Sequence, residues 1–312
     1  MSGLTTAQMS FSVPKDIYAP RAAEVTLTGV GNLPTFYIAN RSYSEGKCTV
    51  TCYDRMAFAD TAFPYESFSN NDISITDICV KIAEVCGVNG VVGIPSCISS
   101  LPKTKLMGTC GDIMSEIASV CCGFWRVSYD NRYEFVPFGS YTATMTVEQH
   151  SALTVGAEFE VLGVHGTDGS GNVFTGGMGA IHSYDGIKVE GDLVTAELVN
   201  EIWGRAEGHI MTAVSCNNAI VSSVPEINTE VTFGQGGSYI INDISCRISA
   251  GGIIASLRGN APDGDEIGTR GYISRKLDQS ARLGQQMGGM IITPYQGIVY
   301  KSEGCSYGQQ TV

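Results

Sequence analysis

Ser100 and Lys103 stand in the spacing S-x-x-K, in which a lysine beside a serine can serve an acyl-transferring nucleophile. That chemistry needs the serine at a helix start and further Ser and Lys motifs, whereas here Pro102 sits inside the motif. Asp168-Gly169-Ser170-Gly171-Asn172 opens like a calcium loop, but the twelfth position is Gly179, where a bidentate glutamate is required. A hairpin turn is the expectation there. Asp263 and Asp265 could pair for general acid chemistry only if burial raised one of them, and the Gly/Pro-rich stretch Gly259 to Gly268 reads as a solvated loop. Gly29-Val30-Gly31 meets Pro34 where a dinucleotide fingerprint needs its third glycine, and no Walker-type Gly-Lys-Ser/Thr occurs. His-x-Glu, His-Glu-x-x-His and Gly-x-Ser-x-Gly are absent from the sequence.

Metal and redox chemistry fare no better. The chain has 11 cysteines and four histidines but no Cys-x-x-Cys, and His150, His165, His182 and His209 show no ligand spacing. Cys79, Cys86, Cys121 and Cys122 fall on apolar helical faces, and Cys48 and Cys52 lie in one strand, so most cysteines are expected as small buried hydrophobes. The first residues offer no basic and apolar leader pattern, from which synthesis in a reducing cytoplasm is expected. No run approaches the ~18 apolar residues of a membrane span. The formal charge of -12, from 31 acids against 19 basic residues, argues against sequence-specific binding of nucleic acid, whose phosphates call for lysine and arginine. No catalytic, metal or cofactor residue is assigned.

The elements that would position any site are mainly strands. Charged residues make up only 16% of the 312 residues, against a usual ~25%, which suggests surface buried against other subunits. Thirty-eight glycines, spread without period, favour many tight strand connections. Phe36-Tyr37-Ile38-Ala39 and Cys48 to Tyr53 flank Ser44-Glu45-Gly46 and predict a hairpin with one buried face. A helix is expected after Ser74, with Ile75, Ile78, Cys79, Ile82, Ala83 and Cys86 on one stripe and Gly87 as its stop. A second should span Cys110 to Cys122, capped by Thr109 and Asp112 and ended by Gly123. Phe124 to Val136 should return as a hairpin with one wet face. Strands are expected at Tyr141 to Val147, Glu158 to His165 and Glu230 to Phe233, and a third helix at Ala196 to Ile210 behind Thr195.

Four segments carry a resemblance. The run TFYIANRSYSEGKCTVTCYDRM (Thr35 to Met56) closes a strand, hairpin and return strand on Tyr53-Asp54-Arg55-Met56. With Asn71 to Gly87, Lys105 to Gly139 and Ser238 to Leu257, it resembles baseplate hub proteins of phage tails and related contractile injection particles. The resemblance implies an α+β, mainly β chain with two tube-like β-barrel domains and helical insertions: a first barrel over 1–60, a helical insertion with a β-hairpin over 61–139, a second barrel over 140–260, and a C-terminal extension over 261–312.

It also implies a structural, non-enzymatic role. Three copies would form a homotrimeric ring adapting a six-fold tail tube to a three-fold spike, and would meet the tube ring, the spike, the tape-measure protein and other baseplate proteins. Such a ring would be assembled in the bacterial cytoplasm and sit at the tail tip of the virion or particle, without membrane insertion of its own. Tyr53 and Asp54 match the strand-end motif and are expected to close the first barrel. Arg270, Arg275, Lys276 and Arg282 are basic candidates for contacts with a neighbour's carboxylates. The inner strands of the ring are expected to carry acidic and small polar residues, with Glu158, Glu160, Asp185, Glu190 and Asp192 among the acids. A tail-tip peptidoglycan hydrolase and a glycan-binding protein using Trp125, Trp203 or Tyr133 are the alternatives.

Overall fold

Alternating apolar and polar residues build the first sheet. The computed structural model describes residues 3–14, 24–141, 143–177 and 186–259. After β1 (Gly3–Leu4) come β2 (Gln8–Pro14), β3 (Glu24–Val25), β4 (Phe36–Ser44) and β5 (Lys47–Tyr53). They form an all-antiparallel sheet in the order β2-β5-β4-β3. Cys48, Val50 and Cys52 are buried and lie across from Val13, Phe11 and Met9, while Ser10, Ser12, Thr49 and Thr51 take the opposite face. Glu45 (φ 46°) and Gly46 (φ 76°) are both left-handed, the two-residue loop whose twist matches its strands, so the turn falls where the sequence places it. A bulge between Ile38 and Asn40 bends the sheet.

The middle region holds β6 (Asp72–Ser74), α1 (Ile75–Cys86), β7 (Val91–Val92), β8 (Ser100–Pro102), α2 (Cys110–Val120), β9 (Gly123–Val127) and β10 (Tyr133–Pro137). Ser74 caps α1 by accepting the Asp77 N–H at 3.0 Å, and Gly87 (φ 67°) ends it. Thr109 and Asp112 form a reciprocal capping box on α2: the Asp112 N–H donates to Thr109 Oγ1 at 3.1 Å and the Thr109 N–H to Asp112 Oδ2 at 2.8 Å. The stop of α2 differs from expectation. The left-handed residue is Cys122 (φ 51°), and Gly123 instead opens β9, where a Cβ would strike the Phe135 ring and the Val136 carbonyl.

The β9–β10 hairpin has no uniformly wet face either. β1 pairs with β9 and β7 with β10, giving a sheet β1-β9-β10-β7 in which Phe124, Trp125 and Val127 are all buried. Pairing with two distant segments closes the edges of the hairpin, and Phe124 on its second face stands with Phe138, His209 and Met211. Trp125 is 1% exposed and donates Nε1–H to the Met114 carbonyl at 2.9 Å, tying the hairpin to α2.

The remaining elements are β11 (Ala143–Thr146), β12 (Ala152–Glu160), β13 (Gly163–Thr167), β14 (Val173–Gly177), β15 (Gly186–Glu190), α3 (Ala196–Ala206), β16 (Ile210–Val221), β17 (Thr229–Thr232), β18 (Ser238–Ile241), β19 (Asp243–Ser249) and β20 (Gly252–Gly259). Sheets β12-β16-β20-β19 and β11-β17-β18 share a core that includes Val214, Cys216, Val231, Phe233, Ile241 and Leu257. Bulges in the β12–β16 and β16–β20 pairings bend the larger sheet.

Two expectations shift here. The strand expected from Glu158 to His165 is two strands, broken at Val161 and Leu162 where the chain leaves the β12 sheet for the β13 sheet. The third helix ends at Ala206 rather than Ile210, because Gly208 turns the chain at φ 71° and Ile210 begins β16 half exposed. Between β12 and β16, the sheet β14-β13-β15 and α3 join the core of the middle region. Val164, Ile187, Val189, Leu198 and Ile202 belong to one apolar cluster with Met56, Ile78, Ile117 and Trp125.

The junction at Gly139 is tight. It sits at φ 87°, and a Cβ there would overlap the Arg205 carbonyl of α3. Gly139→Ala is therefore expected to cost about 2–4 kcal/mol in urea unfolding. Gly204, inside α3 with open space around it, provides the contrast: Gly204→Ala should stabilise by about 0.5–1 kcal/mol. A neutral Gly139→Ala would mean that α3 yields at this contact.

Candidate assembly interface

Tyr53 ends β5 between Gln8 of β2 and Tyr37 of β4, at one end of the outward face of the first sheet. Asp54 follows and turns inward, only 2% exposed. Its Oδ2 accepts the Ala7 N–H at 2.9 Å, its Oδ1 the Met56 N–H at 3.0 Å, and its own N–H donates to the Ala7 carbonyl at 3.1 Å. The carboxyl thus clamps the lead-in to β2 against the end of β5. Burial pushes it up to about 7, although both backbone hydrogen bonds pull the other way. Arg270, Arg275, Lys276 and Arg282 lie outside the described residues.

Three arginines, of which only Arg55 stands in the strand-end motif, join the parts. The Arg55 guanidinium lies 4.0 Å from the Tyr37 ring centroid and 4.5 Å from that of Phe58, and its carbonyl accepts the Tyr133 hydroxyl at 3.0 Å. Arg126, on β9, bonds Glu134 through Nε at 2.8 Å and Nη2 at 2.7 Å, and Glu226 through Nη1 at 2.6 Å. Arg205 Nη2 donates to the Cys121 carbonyl at 3.0 Å. The Arg126–Glu134 half was readable as a cross-strand pair once the hairpin register was assumed; Glu226, a hundred residues on, carried no such signal. Lys105 adds a link from the middle region to Asp192, at 3.0 Å.

The outward faces of the two all-antiparallel four-stranded sheets, β2-β5-β4-β3 and β12-β16-β20-β19, are chemically alike. On the first, cross-strand rows read Ser10–Thr51–Asn40 and Ser12–Thr49–Ser42. On the second, Thr154 faces Ser215, Ala152 faces Asn217 and Ser245 faces Ser256. Ile220 and Ile254 pair at one end of that face, 53% and 42% exposed. The sheets share strand number and antiparallel pairing but not strand order. A cleft of about 1230 Å³ runs between Met9, Phe11 and Phe36 on one side and Ile244 and Ile248 on the other, with Arg126, Glu134 and Glu226 also on its wall.

The fragments that mimic active sites have local structural duties. Ser100 lies in β8, and Lys103 Nζ donates to the Phe68 carbonyl at 2.5 Å. Asp168 Oδ1 accepts the N–H groups of Ser170 at 2.9 Å and Asn172 at 2.8 Å, closing the β13–β14 hairpin turn. Trp125 and Tyr133 are core residues, and Trp203 packs beside that core. Of the acids expected on inner strands, Glu158 stands with Tyr141 and Phe138 at a second cleft, Glu160 ends β12, Glu190 ends β15, Asp192 pairs with Lys105, and Asp185 is outside the described residues. Among the described residues no group of three or more His, Cys, Asp or Glu could hold a metal ion.

No protein-family model matches the sequence, and no curated protein matches it. Solved structures do. A prophage tail protein, gp18, from Listeria monocytogenes EGD-e superposes with a TM-score of 0.54 at 11% identity, over 88% of this chain and 89% of that one. A tail protein from Neisseria meningitidis MC58 superposes with a TM-score of 0.52 at 12% identity, over 84% and 90%. The chain shares the fold of these tail proteins.

The pH dependence of Asp54 follows from its burial. Its folded pKa lies above the unfolded value of ~3.9, so its stabilising contribution is complete below about pH 4 and is lost as pH rises through 7. Between pH 5 and pH 8 wild type should lose on the order of 3 kcal/mol more than Asp54→Asn in urea unfolding. Parallel pH profiles for the two proteins would show that Asp54 is ionised throughout.

Proposed function

We propose that this chain is a structural baseplate hub protein at the distal end of a phage tail or contractile injection particle. Three copies form a ring in which each chain supplies two tube-like units, so that six sheets meet a six-fold tube on one side and a three-fold spike on the other. The observation that carries the reading is the pair of separate, curved, all-antiparallel four-stranded sheets, each turning outward a face rich in Ser, Thr and Asn. Set side by side in a ring, the two faces would form one continuous wall. The tail-protein fold and the charged fraction of only 16% support it.

The units of this proposal are 1–60, 61–139, 140–260 and an extension, 261–312, with 161–206 packed onto the middle unit. Tyr53 and Asp54 close the first unit, and the Ile220–Ile254 pair meets an adjoining ring. Arg270, Arg275, Lys276 and Arg282 contact acidic neighbours. The partners are two further copies, the tube ring, the spike, the tape-measure protein and other baseplate proteins. The ring assembles in the bacterial cytoplasm and stays at the tail tip. Its role is structural and non-enzymatic.

Imaging of purified tail tips is expected to show three copies per ring with both sheets facing the channel. Ser12→Trp and Ser245→Trp, at exposed positions, should leave melting and ring assembly unchanged while reducing delivery of tail contents at least tenfold. Six copies per ring, or full delivery by both variants, would overturn the reading.

A further inference from the structure

The chain leaves β20 at a cleft whose walls carry negative charge and no positive one. β20 runs antiparallel to β16 with Gly259 opposite Val214, so its direction carries the chain on toward Thr212. A Cβ on Gly259 would lie 2.6 Å from the Ile240 carbonyl oxygen and 3.2 Å from that of Thr212. Each of these two residues pairs with a glutamate: Thr212 with Glu158 across β16 and β12, and Ile240 with Glu230 across β18 and β17. The exit therefore stands between the immediate neighbours of Glu158 and Glu230.

All four residues line the second cleft, of about 420 Å³. Phe124, Phe138, Tyr141 and Tyr239 stand on its walls, and no lysine or arginine does. Burial holds the His209 imidazole there below its usual range, so it adds no positive charge at neutral pH. Among the described residues neither glutamate is held in an ion pair. Tyr141 and Ile210, also on the walls, are 55% and 50% exposed. Two carboxylates without a cation, beside aromatic rings and open apolar surface, suit guanidinium groups on apolar stems.

We propose that this cleft is the docking site of the chain's own basic segment, Arg270 to Arg282, whose guanidinium groups pair with Glu158 and Glu230 and lie against Tyr141 and Phe138. The segment holds Arg270, Arg275, Lys276 and Arg282 against a single acid, Asp278, in a chain of formal charge -12. Residues 260–269 separate it from Gly259, a tether that spans up to roughly 35 Å and sets the concentration of the segment at the cleft on the order of millimolar. Asp263, Asp265 and Glu266 lie in that tether. Glu158 and Glu230 repel them as they attract the arginines, which places the tether outside the cleft and the basic side chains within it.

The docking belongs to the single chain, so it goes beyond the hub reading and does not depend on the ring. It gives both glutamates a partner and covers Tyr141 and Ile210 without a second copy.

The test uses the full chain at high dilution, as an equal mixture of unlabelled and heavy-isotope-labelled protein, treated with a water-soluble carbodiimide that joins an amine to a carboxylate in contact with it. Mass spectrometry is expected to find Lys276 linked to Glu158 or Glu230 within one isotopic species. In untreated protein, trypsin should cut after Arg275 and Lys276 at least tenfold more slowly than after Lys301, which lies outside the segment. Glu158→Gln together with Glu230→Gln should bring cutting to the Lys301 rate while the enclosed Arg126 stays uncut. Lys276 linked to neither glutamate, Lys276 linked only between isotopic species, or wild-type cutting after Arg275 as fast as after Lys301 would each overturn the assignment. These three readings come from the wild-type chain, so they stand even if the double variant fails to fold.

Discussion

One apolar core holds the molecule in register, and it is assembled from chain segments far apart in sequence. Leu4 of β1, α1, α2, the β9–β10 hairpin and the excursion from Val161 to Ala206 all pack into it. Fully burying one Ile, Leu or Val side chain contributes roughly 1.5–3 kcal/mol, so five such residues from the excursion outweigh any single polar link at the same junction. Because the excursion lies between β12 and β16, its burial fixes the β12-β16-β20-β19 sheet against the middle region. β1 and the Asp54 clamp do the same for the first sheet from the other end.

Polar contacts then set orientation rather than supply adhesion. Arg126 is 14% exposed at its side chain and holds two glutamates, one on its own hairpin and one in the loop before β17. Charges this enclosed contribute little net stability but make a displaced arrangement costly, since each would lose its partner in a poorly solvated place. Arg55 acts similarly, filling the gap between Tyr37 and Phe58 while its backbone receives Tyr133. These links join the first sheet, the hairpin and the loop before β17.

What could be read from sequence was local. The caps at Ser74 and Thr109, the left-handed Gly87 and the Glu45-Gly46 turn all rest on interactions within five residues, and all formed where expected. The misread places were decided at long range. Cys122 takes the left-handed position while Gly123, where Phe135 leaves no room for a side chain, opens β9, and Phe124 stands with His209 and Met211 from far along the chain. The joining of 161–206 to the middle core left no mark in the hydrophobic pattern, since a buried helix looks the same whichever core buries it. Of the interface candidates, Tyr53 and Asp54 were visible as a strand end, whereas the serine and threonine rows became apparent only when the strands were set side by side.

Those rows bear on how a channel of this kind would avoid holding its contents. An excess of acid suggests a wall that repels a polyanion, yet the outward faces of the two sheets are not acidic. Glu24 and Asp243 stand on them against Lys47, Arg247 and Arg258, Tyr37 and Tyr53 lie at one end of the first and Ile220 and Ile254 at one end of the second, and most of the rest is small and neutral. The acids instead lie largely on the middle region and the excursion, where Glu84, Glu134 and Asp192 are paired with basic partners. Short hydroxyl side chains on a rigid sheet keep their hydrogen bonds to water and neighbours, offer no large apolar area and carry no charge to trap a passing chain of either sign. In the proposed ring, a wall of this composition would let cargo slide because it offers little to bind strongly, and that property would survive changes of salt that screen a repulsive one.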